Sequence, residues 1–131
     1  MISVTTRQLN AAVRMIIQAA REDGFMDQTA YDELKHAFPY TSHASIVEEI
    51  VSSIRDDKSP CHSRAWSRGS LEQALHGVDT LLQAALYSEC MSRADYAAAQ
   101  MQISHAPEKI VERALTGLHR ILMDSDADFA V

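Results

Sequence analysis

Glycine and proline are scarce, at 4 and 3 of 131 residues. Tight turns between strands depend on both, so the composition excludes an all-β fold. Only two cysteines occur, Cys61 and Cys90, and they form no CxxC. The opening MISVTTRQLNAAVR lacks a basic stretch followed by an apolar run, the pattern of a secretory signal. Both thiols are therefore expected to be reduced, in a cytoplasmic protein. No run of about 18 apolar residues exists, which excludes a membrane-spanning helix. A glycine-rich phosphate loop, a GxSxG elbow and an HxxxH or HExxH pair are also missing. Positive charge is in deficit: 12 Lys and Arg stand against 18 Asp and Glu, a net charge of −6. Non-specific nucleic-acid binding needs the reverse balance, because it works by displacing counterions from phosphates. An acidic balance suits a partner with a basic surface.

What the chain does have is 47 % apolar residues, enough for a packed core, and they return at helical spacing. Leu9, Ala12, Val13, Ile16, Ile17 and Ala20 mark one face of a helix from about Thr5 to Glu22, with Gly24 as a left-handed cap. Asp27 caps a second helix carrying Ala30, Leu34, Ala37 and Phe38, which Pro39 ends. Ser45 and Glu48 form a capping-box pattern for a third, although Thr41 or Ser42 would start it earlier. Its buried stripe is Ile46, Val47, Ile50, Val51 and Ile54. Residues 56–69 show no period and read as a central linker. Ser70 with Gln73 is a second capping box, opening a long helix to about Glu89. Ser92 with Asp95 opens a shorter alanine-rich helix through Met101, and Pro107 fits the first turn of the last. The final helix buries Ile110, Val111, Ala114, Leu115, Leu118, Ile121 and Leu122, and residues 126–131 read as a disordered or frayed tail.

The chain also resembles itself. Laid over its own second half without a gap, Gln8 meets Gln73, Val13 meets Val78, and Gln18-Ala19-Ala20 meets Gln83-Ala84-Ala85. In the same register Met26 meets Met91, and Tyr31 meets Tyr96. With a slip of one to three places, Ser42-His43-Ala44 meets Ser104-His105-Ala106, and Ile46-Val47-Glu48 meets Ile110-Val111-Glu112. Two alanine-rich amphipathic helices match in part by chance. The common order through three helices, and the polar Gln and Tyr matches, favour duplication. The expected fold is all-α: one domain, 1–131, as a six-helix bundle of two similar three-helix units with pseudo-twofold symmetry. The units span about 1–56 and 69–125. A chain of about 60 residues hides roughly 60 % of its unfolded surface and the joined chain close to 70 %, so the halves are expected to bury each other.

Chemistry is sparse. Asp23-Gly24-Phe25-Met26-Asp27 resembles part of a calcium loop, but with Gly24 sixth, the first, third and twelfth positions are Ala19, Arg21 and Ala30. Asp124, Asp126 and Asp128 lack the glycine and closing glutamate of such a loop. The six histidines, His36, His43, His62, His76, His105 and His119, form no ligand pair, although His43 and His105 hold matched places in the repeat. His76 on a long helix resembles the site of histidine phosphotransfer modules, but Gly77-Val78-Asp79-Thr80 follows it, without the lysine those modules need and with an aspartate that would repel the phosphoryl group. Cys61 beside His62 is a nucleophile with no oriented base. No enzyme activity, catalytic residue, cofactor or metal is expected. The linker is locally basic, with Arg55, Lys58, Arg64 and Arg68 against Asp56 and Asp57, and it holds the sole tryptophan, Trp66. That ring either plugs the end of the bundle or serves as an interface anchor.

The expected function is protein–protein interaction: a small inhibitor or regulator that blocks a host protein complex with a basic surface. Phage and mobile-element inhibitors, anti-CRISPR proteins among them, share this size, charge and lack of motifs, a placement by class only. Candidate contacts are Trp66, Arg64 and Arg68, or Glu48, Glu49, Asp32 and Glu33 on an acidic helical surface. The alternative is a small bacterial transcription or nucleic-acid-associated regulator, with a phosphotransfer protein or enzyme ranked last. A homodimer is compatible with all of these.

Overall fold

A computed structural model describes residues 6–37, 43–55 and 66–129. These residues form six helices and no strand: α1 Thr6–Glu22, α2 Gln28–Ala37, α3 His43–Arg55, α4 Arg68–Tyr87, α5 Arg93–His105 and α6 Pro107–Phe129. The all-α expectation holds. No described helix is long and apolar enough to cross a membrane.

Three boundaries differ from the sequence expectation, each for a tertiary reason or a weak local signal. α3 begins at His43, in keeping with the earlier of its expected starts, so Ser45 lies inside the helix rather than at its cap. α4 begins at Arg68, ahead of Ser70, which turns inward and is buried. Its N-cap is Ser67, in extended conformation and without a side-chain capping bond. The chain is pinned just before that helix, because Ser67 N–H donates to Asp23 Oδ2 at 2.7 Å and Trp66 docks on Phe25. α5 continues past Met101 to His105, since alanine-rich sequence supports helix without marking its end. α6 carries helical backbone to Phe129, past residue 126 where a disordered or frayed tail is expected, since no proline or glycine interrupts the helix there. Residues 56–65, most of the expected linker, lie outside the described residues.

The core is a single cluster to which all six helices contribute. α1 packs chiefly along α4, and α3 along α6. Ile16, Ile17, Val78, Leu81 and Leu82 of the first pair, and Ile46, Ile50, Ile110, Val111 and Leu118 of the second, are all nearly fully buried. Each such side chain contributes about 1.5–3 kcal/mol through burial. Both contacts are close because each has a glycine. A Cβ at Gly77 would stand 2.5 Å from Ala12 O and 2.8 Å from Ile16 Cγ1. A Cβ at Gly117 would stand 2.9 Å from Ser53 Oγ and 3.2 Å from Glu49 O.

The α1–α2 and α4–α5 corners are built alike. In the first, Asp23 N–H donates to Ala19 O, Gly24 N–H to Arg21 O and Phe25 N–H to Ala20 O. In the second, at the places that the ungapped self-comparison sets against these, Ser88 N–H donates to Ala84 O, Glu89 N–H to Leu86 O and Cys90 N–H to Ala85 O. Asp27 Oδ1 accepts from Ala30 N–H at 2.7 Å, and Ser92 Oγ from Asp95 N–H at 3.1 Å. Both carboxylate and hydroxyl satisfy a donor that the first helical turn leaves open. Gly24 takes a left-handed φ of 80°, as its position predicts, while Glu89 takes φ 62° with a side chain attached. That conformation costs an L-residue roughly 1–2 kcal/mol, part of which glycine returns as extra freedom in the unfolded chain. Glu89→Gly is therefore expected to raise stability by about 0.5–1 kcal/mol in urea titration. A loss of stability would show that the Glu89 side chain outweighs its backbone strain.

Candidate functional site

The residues singled out by sequence fall into separate places. Trp66 is 7 % exposed and stacks on Phe25, with ring centroids 4.1 Å apart and planes at 16°. The ring face that a partner would use is spent inside the fold. Arg68 is exposed and stands 3.6 Å from Glu72 one turn on. Arg64, Cys61 and His62 lie outside the described residues. Glu48 is exposed on α3, whereas Glu49 is partly covered and pairs with Arg120 of α6 at 3.5 Å. Asp32 accepts from Gln28 Nε2, and Gln28 Oε1 accepts from Arg21, which lies 4.6 Å from the centre of the Tyr31 ring. Lys35 lies over the same ring at 5.9 Å. The acid of α2, with Glu33 exposed beside it, is thus interleaved with cations.

Among the described residues no group of three His, Cys, Asp or Glu side chains is placed to hold a metal. His36, His76 and His105 are exposed. Burial lowers the His119 imidazole below its ordinary 6.5. Cys90 is a partly covered free thiol. A groove of about 330 Å³ lies between the end of α3, α5 and α6, at the low end for a small-ligand site. Its polar walls are bonded to each other: Arg55 to Asp95 at 2.9 Å, and Arg113 Nη1 to Gln102 Oε1 at 2.9 Å. The lining holds no thiol, hydroxyl or imidazole.

A second cluster joins α4 and α5, and the sequence reading missed it. Asp79 is held on both oxygens, by Gln100 Nε2 at 2.6 Å and Gln83 Nε2 at 3.0 Å. Tyr96 lies beside it. Burial raises the phenol above its ordinary 10.0, the charges of Asp79 and Tyr87 add to that, and a hydrogen bond with Gln100 opposes it. Tyr87 and Met101 stand 50 % and 61 % exposed, the large apolar side chains so placed among the described residues. Helical spacing alone hides this cluster, because Asp79 and Gln100 are brought together only by the fold. The comparison of the chain with itself carries the signal, since it sets Glu22 against Tyr87 and His36 against Met101.

No protein-family model matches the chain, and no curated protein or solved structure matches it.

Proposed function

We propose that this chain is a non-enzymatic protein-interaction module, an inhibitor or regulator of the small phage or mobile-element type, acting in the cytoplasm on a partner with a basic surface. The observation that carries this reading is the exposed helical surface. It combines a net charge of −6 with large apolar side chains left uncovered. Protein interfaces are built from such apolar centres within polar rims, and opposite charge speeds and orients encounter. The negative charge is uneven: residues 1–65 sum to −2 and residues 66–131 to −4. The groove's carboxylate, Asp95, is paired with Arg55, and Arg113 is bonded to Gln102. No cofactor or metal is invoked.

The same proposal includes the origin of the bundle as two three-helix units related by a pseudo-twofold axis. Three features support it. The corner bonds recur at matched places of the two halves. The close contact between α1 and α4 brings Ala12 against Gly77, which are themselves a matched pair, and that between α3 and α6 brings Ser53 against Gly117, one place off the same register. Burial repeats as well, with Met26 and Met91 both 5 % exposed and Val13 and Val78 both fully buried. A twofold axis brings equivalent residues together in this manner.

The test is affinity capture from lysate of the native host at low and high salt, read by mass spectrometry. The expected result is a protein partner with a basic surface, released by salt. Recovery of DNA in place of a protein would replace this reading with the nucleic-acid-associated one.

A further inference from the structure

The second unit differs from the first in one systematic way. Tyr87, Ala94, Ala97, Ala98 and Met101 are exposed on the end of α4 and on α5. In the register that pairs Gln8 with Gln73, their counterparts are Glu22, Thr29, Asp32, Glu33 and His36, also all exposed. Burial is the same in both sets, so core packing does not account for the change. Alanine's preference for helix accounts for Ala94, Ala97 and Ala98, but not for Tyr87 and Met101, whose counterparts Glu22 and His36 are polar in the matching elements. The fold accepts charge at these places, and α5 has none at them. An apolar surface retained where the fold accepts charge marks a contact site.

Among the described residues this face also has one carboxylate with no cation set against it. Asp79 is oriented by two neutral amides, and each of its oxygens keeps capacity for a further donor. Tyr96 lies close enough to sense it. A fixed carboxylate beside an aromatic ring suits a guanidinium or ammonium group. We propose that the α4–α5 face docks a protein segment with an apolar centre, set on Ala97 and Met101, and an arginine or lysine seated on Asp79 beside Tyr96. A second copy of this chain is the poorer occupant, because it would bring −6 against −6. The proposal rests on the protein-binding reading and adds its location and chemistry.

The test uses the full chain, isotope-labelled, and two probe peptides. One is a short amphipathic helix with a leucine face flanked by arginines; the other has citrulline in place of each arginine. The arginine peptide is expected to shift amides of residues 87–101 and to bind about tenfold more tightly than its neutral twin, the scale of a charge-assisted contact. Asp79→Asn is expected to remove that difference, and Met101→Glu to abolish binding with the melting temperature unchanged. His36→Glu, at the matched place on α2, is expected to change neither. Equal binding of the two peptides, or shifts centred on α2, would overturn the proposal. So would a dimer seen by sedimentation that Met101→Glu dissociates. In lysate capture, a partner retained equally by wild type and Met101→Glu would sink this face alone, whereas no partner on either would sink the functional reading as well.

Discussion

Gly77→Ala is expected to destabilise the chain by about 2–3 kcal/mol in urea titration. Two effects oppose each other. Alanine is the better helix former by about 1 kcal/mol at an interior position. Against that, the new methyl would lie 2.5 Å from a main-chain oxygen, Ala12 O. A side chain moves aside cheaply; a carbonyl within α1 moves only if the helices part. Parting them loosens the contact through which Ile16, Leu81 and Leu82 are buried, so overpacking wins. Gly69→Ala is the control. It lies in the first turn of α4 with nothing within 4 Å of a new Cβ, and the expected change is a gain of a few tenths to about 1 kcal/mol. A Gly77→Ala variant as stable as wild type would show that α1 and α4 pack less closely than described.

Trp66→Ala is expected to cost about 3–4 kcal/mol of stability, the usual scale for emptying a large aromatic site. The lost terms are ring burial and the stack on Phe25, the latter worth about 0.5–1.5 kcal/mol beyond area. The buried indole Nε1 makes no hydrogen bond among the described residues, so the substitution strands no polar partner there. Because Trp66 is the sole tryptophan, unfolding of the wild type is read directly as a red shift of its fluorescence. The variant is followed by circular dichroism. Unchanged stability with weakened partner binding would return the linker to the role of interface anchor.

The sequence was most legible where one helix face is continuous. Leu9, Val13, Ile16, Ile17 and Ala20 define α1 and are all buried, and the α6 stripe from Ile110 to Ile121 behaves likewise. The corner at Gly24 was legible because left-handed geometry favours glycine. Its counterpart at Glu89 was not, because nothing local marks a glutamate for φ 62°. The start of α4 differs from the local expectation because Ser70-x-x-Gln73 is a local pattern, while the stack of Trp66 on Phe25 and the Asp23–Ser67 bond join distant parts of the chain. Sequence also left Trp66 between plug and anchor, since its stacking partner lies in another corner. The α4–α5 cluster escaped for a related reason. Alanine favours helix wherever it stands and marks no face, so α5 has little amphipathic signal, and Asp79 meets Gln100 only in the folded chain.

The proposed two-unit bundle requires each half to complete the other across α1–α4 and α3–α6. Circular dichroism of fragments 1–65 and 66–131, each alone and then mixed in equal amounts, tests that dependence most directly. Little helix in either fragment alone, with helical signal and a cooperative melt restored on mixing, is the predicted result. A cooperative melt from one fragment by itself would contradict it.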